Sequence, residues 1–495
     1  MTAGKKMNVG ISAIGAYVPL LRLQRRAIAA ATAWYNPSLA SLGKGERSMA
    51  NWDEDTVTMA VEAARDCLTG HDRQAVDRLI LASTTLPFAD RQNAGIVKEA
   101  LTLPDTVGSM DVGGSQRAGT AALLSALDAA RAADAPVLCL AADKRPARPA
   151  STDEFLNGDG AAALLTGTRD LIAELIGHHS VTVDFVDHYR ASDRDHDYAW
   201  EGRWVRDEGY LRLLAGSIHD GLDRNGVSAG DIDHLILALP AQGVDAQVAK
   251  AIGIAPDRLV DGMHGDLGYT GAAHPLLLLA RLLAHAGPGK CIALAAFGQG
   301  VDLLLFRTTD RAGQGTGGLG VDGWLSRRRP EENYLKHLHF RGEVVLEAGM
   351  RAELDLKTSH AALYRDRKTV LGLVGGKCRV TGTVQYPKSA ISVAPNARMV
   401  DTQDDYPLAD RPARLVTVTA DHLAFSPDPP SHYGMIDFDG GGRMIADIVD
   451  VGDNVPQPGA RMRMMFRIKR IDARGFTQYF WKAAPDAGEV GGQDV

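Results

Sequence analysis

Cysteine is scarce here and never paired. Four thiols, Cys67, Cys139, Cys291 and Cys378, stand singly in 495 residues with no CxxC spacing, which excludes a disulfide framework and suits a reducing compartment. A basic excess is also missing. The net charge of −7 argues against a polyanion-binding surface and sets nucleic acid aside. No stretch approaches the run of about 18 apolar residues that a membrane span needs. The N-terminal run MTAGKKMNVGISAIGAYVP is broken by glycines and a proline, so it does not read as a secretory signal. These absences point to a cytoplasmic protein with no membrane partner.

What is present is a globular composition, 45% hydrophobic and 23% charged, in a chain too long for one ordinary core. Through residue 306, short β-rich apolar runs alternate with alanine-rich helical segments, the pattern of α/β layers. Strands are expected at Met7 to Ile14, Leu79 to Ala82, Val137 to Ala141, Leu235 to Leu239 and Ile292 to Ala296. Helices are expected at Asp55 to Leu68 and Gly119 to Ala132.

The chain also repeats itself. Val76-Asp77-Arg78-Leu79-Ile80-Leu81-Ala82 is answered by Ile232-Asp233-His234-Leu235-Ile236-Leu237-Ala238, and Val137 to Ala142 by Cys291 to Ala296. Between these pairs, the run Gly114 to Ala122 has its counterpart in Asp266 to Ala273. The order is kept and the offsets stay within about 150 to 156 residues. Two similar halves about a pseudo-two-fold axis, meeting at the loops before their central helices, account for this.

Residues 307–333 are glycine-rich and charged without periodicity, and read as a linker. In it Arg327-Arg328-Arg329 reads as a solvated face or an approach to phosphates. From Val374 onward, short β-rich runs at Ala413 to Thr419, Tyr433 to Phe438, Arg443 to Val449 and Arg461 to Ile468 suggest a small antiparallel barrel. The expected division is 1–170 and 171–310 for the two halves, 311–373 for a linker and helical connector, and 374–482 for a degenerate ribbon and barrel.

Ala50 to Ala60, Gly119-Thr120-Ala121-Ala122, Asn157 to Ala163 and Gly268 to Ala273 together resemble the microbial hydroxymethylglutaryl-CoA synthase family of the thiolase superfamily. So does the segment Asp184 to Tyr210. The resemblance covers most of residues 7–306 and implies a five-layered αβαβα sandwich of two repeated halves, a homodimer, and an acyl-CoA substrate whose coenzyme A is part of the substrate rather than a bound cofactor. The C-terminal part resembles an acyl-CoA-associated OB-fold family in which a zinc ribbon precedes the barrel. Of the four thiols such a ribbon uses, only Cys378 is kept, with Thr381 and Ser392 near places where ligands would be expected. One thiolate cannot hold tetrahedral zinc, so no metal is expected.

The family's catalytic cysteine, glutamate, histidine and asparagine correspond to Ser115, Thr84, Ala238 and Tyr269. Ser115, after Gly114 in a Gly-Gly-Ser loop before a helix, is either a cap or a weak nucleophile. Tyr269 is either a proton donor at the meeting point of the halves or packing that fills vacated space. His264, five residues earlier, suits a general base or a surface loop. His274 is expected to be buried and hydrogen-bonded, His188 and Tyr189 to line the acyl side, Thr84 to contact substrate, and Asp159 to close a turn. Thiolase-superfamily aldolases that pair with an OB-fold partner resemble this pattern. The resulting expectation is an enzyme that makes or cleaves a carbon–carbon bond alpha to a CoA thioester by aldol or retro-aldol chemistry. The alternatives are a Claisen acyltransferase using Ser115 and a non-catalytic scaffold in an acyl-CoA enzyme complex.

Overall fold

The computed structural model describes residues 8–240, 243–313, 317–353, 355–452 and 454–486. Met7, the expected start of the first strand, lies outside them. Among the described residues the chain divides into two compact units. One takes Met1–Asn51, Asp55–Gly95 and Pro104–Val344, and the other takes Trp52–Glu54, Ile96–Leu103 and Val345–Val495.

The first unit is built on a mixed sheet of nine strands. Their spatial order is His234–Ala238, Cys291–Phe297, Gly300–Thr308, Ala173–Thr182, Gly10–Tyr17, Asp159–Gly167, Val137–Lys144, Arg78–Ala82 and Gly108–Val112. The order mirrors itself about the junction of Ala173–Thr182 with Gly10–Tyr17, where only Gly10 with Glu174 and Ile11 with Ala173 are paired. On each side an antiparallel hairpin partner is followed by a parallel pair: Val137–Lys144 with Arg78–Ala82, and Cys291–Phe297 with His234–Ala238. These parallel pairs are the repeated segments of the sequence. The outermost strand of the first half, Gly108–Val112, has no full counterpart; in the second half a lone parallel bridge joins Leu235 to Leu259.

The helices follow from local chemistry. Thr56–Cys67 starts at Asp55, whose side chain accepts from the Thr58 N–H while the Thr58 side chain answers the Asp55 N–H. All of its residues are buried. Ala118–Ala133 and His274–His285 are the two central helices, packed on the strands of their own halves and on each other, which gives the thiolase-like layered α/β arrangement. Their first turns meet at Gly119, where a Cβ would stand 2.1 Å from the Ala272 carbonyl oxygen. No side chain larger than hydrogen fits there.

The stretch expected to be a linker is ordered where it is described. Gly320–Ser326 is a helix that buries Val321 and Trp324, and Arg329–Glu331 pairs in parallel with Leu21–Gln24. The glycines allow the main chain to approach Asp66, whose carboxylate accepts from Leu319 N at 2.6 Å and Gly320 N at 3.0 Å. Within the basic run, Arg328 pairs with Glu46 and Arg327 lies over the Trp324 ring. The division between units falls at Val344, later than the expected 310 and earlier than 373.

The second unit carries five antiparallel strands in the order Arg443–Asp447, Ser431–Phe438, Ala413–Asp421, Arg461–Ile471 and Thr477–Pro485. A single bridge from Ile448 to Ala483 brings the edge strands together, an OB-like curl without a closed ladder. The ribbon is a three-stranded sheet of Val384–Gln385, Val374–Cys378 and Gln403–Pro407. Cys378 Sγ lies 3.1 Å from Thr402 Oγ1 and accepts from the Thr381 N–H. Ser392 is buried, and its N–H donates to Met399 O. Among the described residues no helix is long and apolar enough to cross a membrane, and no cluster of three His, Cys, Asp or Glu could hold a metal ion.

Candidate active site

The site lies where the first turns of the two central helices meet, inside the first unit. Asp143, at the end of its strand and fully buried, gathers it. Its carboxylate accepts from Ser83 Oγ at 2.8 Å, Thr84 N at 2.7 Å, Thr84 Oγ1 at 3.0 Å, Thr85 Oγ1 at 3.0 Å and Ala272 N at 2.7 Å. A charged acceptor with this many donors is a firm tie. It joins the loop of the first half that holds Thr84 to the first turn of the second half's helix. Thr84 is therefore part of the frame, and its carbonyl also accepts from Arg190.

Tyr269 reaches the centre on the loop before that turn. Its N–H donates to Leu156 O at 2.8 Å and its carbonyl accepts from Gly158 N at 2.9 Å, so its backbone is held by the Asn157–Gly158 segment. The ring is 3% exposed. It sits 5.0 Å from His274 on one side and 5.7 Å from the Arg145 guanidinium on the other. Its hydroxyl makes no hydrogen bond with the described residues. Burial pushes the phenol up, with the Arg145 cation opposing, so near neutral pH the group keeps its proton and is a donor. Arg145 is held in turn by Asp197 at 2.5 Å, and Asp197 also accepts from Arg190.

His274 is the first residue of its helix and completely buried. Nδ1 lies 3.4 Å from the Thr270 N–H and 3.3 Å from Thr270 Oγ1, which places the ring proton on Nε2. Burial and the neighbouring His264 hold its pKa down to about 3. His264 packs 5.7 Å from His274, its carbonyl accepts from Arg25, and burial lowers its pKa too. The His274 ring is therefore neutral near pH 7, and it is the ring against which His264 packs.

The first-half loop differs from expectation. Ser115 does not turn toward Tyr269. Its hydroxyl donates to Gly298 O at 2.7 Å and accepts from Arg117 N at 3.3 Å, three residues before the helix proper begins at Ala118. Arg117 Nε donates to the same Gly298 carbonyl at 3.0 Å and its guanidinium pairs with Asp302 at 2.8 Å. Ser115 is a loop tie, with no basic side chain hydrogen-bonded to it among the described residues. Gly114 is exposed with open space around it and a φ of +86°.

The residue that faces Gly271 is the next one, Gln116. Its carboxamide oxygen lies 3.0 Å from where a Cβ on Gly271 would stand, and Gly271 has a φ of +58°. Gln116 Nε2 is 3.4 Å from His188 Nε2. His188 Nδ1 in turn lies 3.1 Å from the Asp187 carboxylate, which also accepts from Gln299 Nε2 at 3.4 Å. An imidazole with a carboxylate close to one nitrogen and its other nitrogen near Gln116 is a candidate general base. Tyr189, expected to line the acyl side, instead turns outward, 54% exposed, with its ring 5.7 Å from Tyr198. Nearby in sequence, Phe185 is stacked on Trp204 at 4.2 Å, and the Tyr210 ring meets that of Phe297 at 5.2 Å. Tyr210 lies in a π-helical segment, Val205–Leu214, a rare winding that is frequent at functional positions.

Comparison with known proteins fits this architecture. Residues 222–304 match the family model described as 3-oxoacyl-[acyl-carrier-protein] synthase III C terminal. Residues 406–467 match that described as ChsH2, C-terminal OB-fold domain. A hydroxymethylglutaryl-CoA synthase of Caldivirga maquilingensis is 29% identical over 314 residues, 62% of this chain and 89% of the relative. One of Aeropyrum pernix is 27% identical over 346 residues, 68% of this chain and 96% of the relative. The structure of an HMG-CoA synthase complexed with CoA superposes with a TM-score of 0.60 at 21% identity, covering 71% of this chain and 95% of the other. That of the 3-oxoacyl-(acyl carrier protein) synthase III FabH from Pseudomonas aeruginosa PAO1 gives 0.55 at 23%, covering 61% and 98%. The chain is thus a thiolase-like protein similar to hydroxymethylglutaryl-CoA synthases, with a C-terminal segment that matches the ChsH2 OB-fold domain.

Proposed function

We propose that this protein is an acyl-CoA-processing enzyme that makes or cleaves a carbon–carbon bond alpha to the thioester by aldol or retro-aldol chemistry, without a covalent acyl-enzyme, and that it works as a homodimer. The observation that carries this reading is the engagement of Ser115: its hydroxyl proton is spent on a backbone carbonyl, and among the described residues no imidazole or carboxylate hydrogen-bonds to it. The acid and base that aldol chemistry needs have candidates in Tyr269 and in His188 with Asp187. In the cleavage direction His188 Nε2 takes the proton of the β-hydroxyl, the Cα–Cβ bond breaks as the β-carbon becomes a carbonyl, and the electron pair passes into the thioester as an enolate. The Tyr269 phenol donates a hydrogen bond to the enolate oxygen, and a proton returned to the α-carbon completes the step. The relatives named as synthases favour, as the second reading, a Claisen acyltransferase in which Ser115 takes the acyl group from the thioester and releases coenzyme A. Incubation with labelled acetyl-CoA followed by intact-mass measurement tests the proposal: no stable mass gain is expected, whereas an acetyl adduct on Ser115 would replace it with the acyltransferase reading.

A further inference from the structure

Residues 188–199 form a small hairpin that carries His188. His188–Tyr189 pairs with Tyr198–Ala199, Tyr189 opposite Tyr198 and His188 opposite Ala199. Side chains alternate across a strand. Here Tyr189 and Tyr198 take the outer face, both exposed, while His188 and Arg190 turn inward to Gln116 and to the Thr84 carbonyl. A hairpin with two paired residues per strand does not hold itself in place, so its position is set by what its inner face grips. Asp197 makes that grip, one step beyond the ladder. Its Oδ1 accepts from Arg190 Nη1 at 2.8 Å, across the hairpin, and its Oδ2 accepts from Arg145 Nη2 at 2.5 Å, outside it. Near the turn, His196 Nε2 lies 2.7 Å from Glu343 Oε1. Of these ion pairs, Asp197 with Arg145 is the most deeply buried, with side chains 7% and 6% exposed, and charge-assisted hydrogen bonds are strongest where water is excluded. Arg145 is also the cation that stands 5.7 Å from the Tyr269 ring and opposes the effect of burial on its phenol. One carboxylate thus grips both the hairpin that carries His188 and the guanidinium that flanks Tyr269.

We propose that Asp197 is the positioning residue of this site: by bridging Arg145 and Arg190 it locks the 188–199 hairpin in place and so sets where His188 stands relative to Tyr269. It acts through the two groups it places and is not itself an acid or base of the step. The catalytic part of this inference rests on the aldol reading above. A displacement of about 1 Å between groups that must act together can cost up to about 100-fold in rate, which is what a tie of this kind prevents.

Two measurements on the full-length protein test it. Hydrogen exchange read by mass spectrometry needs no substrate: in Asp197→Asn, peptides within 188–199 should exchange about 10-fold or more faster, while those of Thr56–Cys67 keep their rates. Cleavage of 3-hydroxybutyryl-CoA to acetyl-CoA and acetaldehyde gives the second. Asp197→Asn should lower kcat by about 10-fold to 100-fold with KM within about 2-fold of the unmodified protein. It should cost less when added to Tyr269→Phe, because one of the two groups it places is then already disabled. Arg190→Gln, at a partly exposed position, guards against an Asp197→Asn protein that does not fold, and must move both readouts in the same direction. An unchanged exchange rate in the hairpin would overturn the proposal. So would faster exchange throughout the first unit, which would make Asp197 a general stabilising residue, or a higher KM at unchanged kcat, which would assign it to substrate binding. Faster hairpin exchange in a protein that does not cleave the probe even before substitution would instead overturn the aldol reading and leave the anchoring role standing.

Discussion

Replacing Tyr269 with phenylalanine removes one oxygen and leaves the ring between His274 and Arg145 in place. Because the hydroxyl makes no hydrogen bond with the described residues, its loss orphans no partner in the protein, and the folding stability should change by less than about 1 kcal/mol. The catalytic cost is of a different order. A protonated phenol that donates to a developing enolate should take about 100-fold or more of the rate with it. Ser115→Ala provides the contrast. It deletes the 2.7 Å bond to Gly298 O, but that carbonyl still accepts from Arg117 Nε at 3.0 Å, so the loss should be about 1 kcal/mol of stability and less than 10-fold in rate. Steady-state assay of thioester cleavage alongside denaturant unfolding separates the two quantities. A Ser115→Ala protein without activity beside a nearly normal Tyr269→Phe would refute the assignment of acid and place the chemistry on the serine.

Gly119→Ala should destabilise by about 1 to 3 kcal/mol, since its Cβ falls 2.1 Å from Ala272 O; urea midpoints measure it, and an unchanged midpoint would mean that the helix contact is looser than described. His274 is held neutral with a pKa near 3 against an ordinary 6.5, so between those values the unfolded chain binds a proton the folded one refuses. Stability should therefore fall as pH drops from about 6.5 toward 3, by up to about 1.4 kcal/mol per pH unit for this residue, and His274→Asn should show a shallower slope in chemical denaturation across that range. Elemental analysis of protein purified without chelator should give well under one zinc per chain; a stoichiometric value would mean that oxygen or imidazole donors had joined Cys378.

Much of the fold was legible because apolar runs and alanine-rich periods are local signals. Arg78–Ala82, Val137–Lys144 and Cys291–Phe297 fall within one to three residues of expectation, and the repeat foretold the mirrored strand order. The strand Thr477–Pro485 was not named, since its TQYFWKAAP run lacks the alternation of a half-exposed strand and is buried along most of its length. The site was less legible for a geometric reason. Ser115 and Gln116 are neighbours in sequence, and only the path of the loop decides which one faces Gly271. Asp143 at a strand end, Arg145 after it and Asp187 beside His188 carry no spacing motif; they meet through tertiary pairing. The glycines of 317–320 read as flexibility, whereas they serve close approach to Asp66.

The pairing of Gly10–Tyr17 with Asp159–Gly167 has a consequence for synthesis. Gly10 finds its partner only when Gly167 has been made, so at about 5 to 20 residues per second the first strand emerges and waits roughly 10 to 30 s before it can be covered. During that interval an apolar segment, later buried almost throughout, is open to wrong partners. Yield in cells should therefore depend on holdase capacity and on translation rate between the codons for Gly10 and Gly167, more than on the equilibrium stability of the finished protein.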